Sequence, residues 1–91
     1  MLDTFATTEV LHSTMTRLRG KYSVLYVMEN TKKNPNTSKI DQYKRRSVEL
    51  SRLMDEMITA TLEDKKYAIK IYSKELQHLN KSVNRSSKNG D

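Results

Sequence analysis

The chain has 91 residues, 31% of them charged and 35% hydrophobic, with two glycines, one proline and no cysteine. That length accommodates one small domain, the missing cysteines exclude a disulfide framework and thiolate metal or redox chemistry, and the scarcity of Gly and Pro excludes a strand-and-turn fold in favour of helices. A net charge of +6 favours acidic partners, without choosing among nucleic acid, an anionic membrane surface and an acidic protein.

The opening residues Met1-Leu2-Asp3-Thr4-Phe5 carry no basic stretch leading into an apolar core, and no run is long enough to span a bilayer. The expectation is a soluble, intracellular protein of the cytoplasm. Its first helix is expected over about 5–31, because Leu11, Met15, Leu18, Tyr22 and Leu25 alternate intervals of four and three, the seam of a helix packed along another helix. Gly20 interrupts this helix at a cost of about 1 kcal/mol relative to Ala, so the site is either weakly helical or open to the close approach of another backbone. Val24, Tyr26 and Val27 widen the apolar stripe, leaving Tyr26 for a second partner.

A loop is expected over 32–37. Asn tolerates turn conformations there, and Pro35 forces its predecessor out of helix. Ser38 is then the expected cap of the second helix, with Asp41 as the acidic member of a capping box. Ile40, Tyr43, Ser47, Leu50, Met54 and Met57 again alternate three and four, and a short loop between two such segments predicts an antiparallel helical hairpin.

Further on, Ile69, Tyr72, Leu76, Leu79 and Val83 keep the alternation, displaced by one residue from the preceding set. Two readings follow: one long helix over about 38–84 continuing through a stutter, or a break at 60–64 with Thr61 capping a third helix whose first turn carries Glu63 and Asp64. Without Gly, Pro or Asn between Leu50 and Gln77, the continuous or kinked helix is favoured. The fold expected is therefore all-α, a coiled-coil-like hairpin with a long second helix, or a three-helix bundle if the chain bends near residue 61. Residues 1–84 form the single domain and 85–91 a disordered polar tail.

Residues in chemistry-bearing patterns are few. His12 and His78 lack a second ligand at metal-binding spacing beyond Glu75, the pairs Asp55–Glu56 and Glu63–Asp64 point in different directions on a helix, and phosphate loops and nucleophile elbows are absent. No enzyme, cofactor or metal is expected. The long second helix would outrun the first, so its seam would need a helical partner or a second copy, anchored by Leu50, Met54, Met57, Ile69, Tyr72, Leu76 and Leu79. A rival reading takes Lys44, Arg45, Arg46 and Arg52 as contacts to nucleic-acid phosphates, beside a stripe of Lys66, Lys70 and Lys74 at i, i+4 spacing.

The stretch Ser47-Val48-Glu49-Leu50-Ser51-Arg52-Leu53-Met54-Asp55-Glu56 resembles the second-helix signature of sporulation phosphatases, hairpins that act on a response regulator. That signature has an acidic residue where this chain has Ser51, so the resemblance implies a hairpin regulator of a signalling protein and no catalytic residue. Over about 15–65, a helix, a polar loop and a second helix beginning near Gln42 and Tyr43 are similar to the co-chaperones of type III secretion needle subunits, which implies a small chaperone. Ala68, Tyr72, His78 and Leu79 resemble the dimerisation hairpin of inhibitor-of-growth chromatin proteins, which implies self-association. Common to all three is a helical hairpin that binds other helices, so the function expected is an adaptor, small chaperone or regulatory subunit.

Overall fold

The computed structural model describes the backbone of residues 4–89 and the side chains of residues 4–81. Among the described residues every regular element is an α-helix: α1 (Thr4–Asn30), α2 (Thr37–Met57) and α3 (Leu62–Asn89). The chain runs up, down and up, and α1 packs against both of the others. Arg19 of α1 reaches Ser51 of α2 while Glu29 reaches the loop at Asn36, as antiparallel neighbours must. Thr8 lies beside Lys65 and Tyr22 beside Glu75, so α1 and α3 run in the same direction.

The first connection is held by a carboxylate. Glu29 is buried, and its Oε2 accepts from the Asn36 N–H at 3.0 Å while Oε1 pairs with Lys32 at 2.9 Å. Asn36 then caps α2: its backbone is extended and its side chain accepts from the Lys39 N–H at 3.2 Å. The cap is thus two residues upstream of Ser38. Once the Asn36 backbone is fixed by Glu29, its side-chain oxygen is within reach of the first free amides, and Ser38 is already inside the helix.

The second connection corrects the favoured reading of one long helix. α2 ends in a turn in which Ile58 N–H bonds to Asp55 O and Ala60 N–H to Met57 O, and the Thr61 hydroxyl accepts from the Asp64 N–H at 3.1 Å to start α3. Glu63 and Asp64 occupy the first turn, where the helix dipole favours them. No helix breaker is needed because Thr61 offers the backbone an alternative acceptor, and bending lets the second seam be buried against α1. The same bend resets the helical phase.

The core consists of Leu11, Met15, Leu18, Leu50, Ala68 and Leu79, with Tyr22, Leu25, Leu53, Met54, Met57, Ile69, Tyr72 and Leu76 packed around it. α3 continues through residues 85–89, where composition alone suggests a tail; residues 90 and 91 and the Val83 side chain lie outside what is described.

Candidate interaction surface

The anchors expected to await a second chain are taken up by the fold, although half-buried Leu76 also lines the open side of the α1/α3 contact. Leu50 and Leu79 are buried, and Met54, Met57, Ile69, Tyr72 and Leu76 pack against the core, because the bend at Thr61 lays the α3 seam along α1. The premise that this seam lacks an intramolecular partner therefore fails.

The four basic residues expected to bind phosphates are divided. Arg46 turns inward: its Nε and Nη2 donate to the Glu75 carboxylate at 3.0 and 2.6 Å, it also pairs with Glu49, and its guanidinium carbon lies 5.9 Å from the Tyr72 ring centre. Arg52 pairs with Glu56 at 2.9 Å. Lys44 and Arg45 stay on the outer side of α2 around the exposed Val48. Ser51, at the position where the phosphatase signature is acidic, takes a hydrogen bond from Arg19 of α1 at 3.0 Å, so it faces the helix interface.

Two polar junctions tie the three helices together. In one, Glu75 accepts from Arg46 of α2 and from the Tyr22 hydroxyl of α1, and Tyr22 in turn leans on Tyr43 with ring centres 6.3 Å apart. Burial would raise the Glu75 carboxyl, but the hydrogen bonds from Arg46 and Tyr22 and the nearby guanidinium charge outweigh it and hold the group below its ordinary value. Burial, with Glu75 adding to it, pushes Tyr22 up to about 12. In the other junction the buried ammonium of Lys65 donates to Thr8 of α1 at 3.0 Å and to the Ile58 carbonyl at the end of α2 at 3.4 Å. These contacts orient the helices; no group of three or more carboxylate, imidazole or thiolate side chains converges among the described residues.

What α1 leaves uncovered is a second stripe. Val10, Ser13, Arg17, Gly20, Val24 and Val27 follow one another at intervals of three and four, as the buried seam does, on a different side of the helix. Val10, Val24 and Val27 are all exposed, at 39%, 47% and 56%. Most of this stripe, with Thr14 and Lys21, forms one wall of a groove whose other wall is Ser73, Leu76, Gln77 and Asn80 of α3. Gly20 sits in that wall within regular helix, and a Cβ added to it would meet no atom within 4 Å. Nothing within the described fold therefore requires a glycine there. The sequence shows Gly20 and the surplus valines, but spacing alone does not separate this stripe from the core seam, because a helix with apolar residues on two sides reads as one broad stripe.

No family model, curated protein or solved structure matches the chain.

Proposed function

We propose that this protein is a non-enzymatic interaction module, of the adaptor, small-chaperone or regulatory-subunit kind, that receives a helix of another protein in the groove between α1 and α3. The observation that carries this reading is the second stripe on α1. A helix apolar on one side needs one neighbour, whereas α1 has α2 and α3 against its core side and a further stripe beside it in which Val10, Val24 and Val27 stand exposed around Ser13, Arg17 and Gly20. A fourth helix laid there would cover Val10, Val24 and Leu76 and complete a four-helix bundle. Gly20 supports the same reading, since a residue without a side chain lets a facing backbone come close, at a cost of about 1 kcal/mol in helix propensity that no internal contact explains.

From Val10 to Val27 the stripe is about 25 Å long at 1.5 Å per residue, which suits an occupant of about five turns. The test is to titrate the isotope-labelled chain with an uncharged 18-residue helical peptide carrying Leu and Ala at intervals of three and four. Docking in the groove predicts saturable amide shifts confined to residues 10–27 and 73–80, abolished by Gly20→Leu. Shifts spread over α2, or none at all, would count against it.

A further inference from the structure

We propose that the helix received by the α1/α3 groove is acidic and amphipathic, supplied by a different protein and not by a second copy of this chain. The proposal rests on the groove being the docking site and concerns the chemistry of the occupant. Among the described residues, the charged side chains lining the groove are those of Arg17 and Lys21, with no carboxylate between them. Neither cation has an ion-pair partner among the described residues, in contrast to Arg46 and Arg52, which are each matched to a glutamate. The groove therefore carries positive charge beside an apolar floor, the reverse of what a helix edged with Glu or Asp presents.

The outer edge has the same sign. On the surface of α3, the charged residues at three- or four-residue spacing from Ser73 and Gln77 are Lys70, Lys74 and Lys81, all exposed. A partner helix seated on Val10, Val24 and Leu76 would thus pass between cations on both sides, with its own apolar residues at alternating intervals of three and four and carboxylates flanking them. A small residue opposite Gly20 would let the backbones approach.

Charge also argues against self-pairing. A two-fold contact through this groove would set Arg17 and Lys21 of one copy against the same residues of the other, and like charges across an interface disfavour association. The net charge of +6 acts in the same direction at low salt.

The experiment compares two labelled 18-residue peptides with an identical Leu/Ala seam, one flanked by Glu and one by Lys, by fluorescence anisotropy against the full chain. The acidic peptide is expected to bind about tenfold more tightly in low salt, the worth of two exposed ion pairs. That gap should close near 1 M salt, where screening acts within about 3 Å. The double variant Arg17→Glu with Lys21→Glu, checked for helicity, should shrink the preference severalfold without reversing it, since Lys70, Lys74 and Lys81 remain. Equal affinities for the two peptides would leave the groove as a helix site and overturn its charge preference. Binding of neither these peptides nor the uncharged one would overturn the docking reading itself. A concentration-dependent dimer in sedimentation equilibrium, dissolved by Gly20→Leu, would make the occupant a second copy and also overturn the proposal.

Discussion

Glu75 of α3 accepts two hydrogen bonds from the Arg46 guanidinium of α2, through Nε at 3.0 Å and Nη2 at 2.6 Å, so these two residues join helices that otherwise touch chiefly through α1. The geometry is side by side, two donors to two oxygens, and both side chains are about three-quarters removed from solvent, at 26% and 23% exposure. Removing one member strands the other. Glu75→Gln is expected to destabilise the fold by about 1–3 kcal/mol, less than a fully buried pair would lose because Arg46 keeps Glu49 and some solvent. Urea unfolding checks this. In a double-mutant cycle, Arg46→Met should restore part of the loss, since the stranded cation is gone.

Stability should fall at both ends of the pH scale, for different groups. Glu29 is held low first by the Asn36 amide and then by Lys32, and Glu75 by the hydrogen bonds and charge that outweigh its burial. A carboxyl lowered on folding contributes stability in full above its unfolded value of about 4.3 and loses it as pH falls through the lower folded value. Tyr22 is raised, so its contribution is complete below 10.0 and is lost as pH rises toward about 12. Urea midpoints from pH 3 to 11 should trace this plateau, and Tyr22→Phe should flatten the alkaline side.

The caps can be told apart by truncation. Asn36→Ala and Thr61→Ala are each expected to cost about 1 kcal/mol, because each side chain satisfies an amide at the start of a helix. Ser38→Ala should change stability by no more than about 0.5 kcal/mol, as a helix-interior serine replaced by a better helix former. Equal losses at positions 36 and 38 would contradict the cap at Asn36.

Gly20→Ala should stabilise the chain by about 1 kcal/mol, since the new methyl group meets no atom within 4 Å and the backbone is already helical. Thermal or urea unfolding measures it. A loss of stability would mean that the glycine serves the fold, which removes it as support for docking.

Leu79→Ala separates the core role from an interface role. Leu79 is 9% exposed and belongs to the same cluster as Leu18 and Leu50, so truncation should destabilise the chain by about 2–5 kcal/mol, independent of protein concentration. A loss that vanishes on dilution would instead place the residue between chains.

Much of this architecture is legible in the residues themselves. Helices, their three-and-four seams, the loop around Pro35 and the capping capacity of Thr61 depend on contacts a few residues apart, so spacing and side-chain chemistry reveal them. The identity of the α2 cap escaped such reading because it depends on Glu29 reaching across the loop to position Asn36. The role of Arg46 escaped as well: in sequence it stands between Lys44, Arg45 and Arg52 as one more cation, and only the approach of Glu75, 29 residues away, turns it inward.

By itself, then, the sequence determined that the chain is helical, where the first helix, the loop around Pro35 and the start of the second helix lie to within a few residues, and which positions are apolar enough to pack. Tertiary structure alone decided that the chain bends at Thr61, that the seam from Ile69 to Leu79 packs on α1, and that Val10, Val24 and Val27 are left exposed on another side of α1. The physical reason is that periodicity identifies a face that must be buried but carries no information on what buries it. That choice falls to contacts between segments distant in sequence, where the burial of a whole seam outweighs the local preference for an unbroken helix.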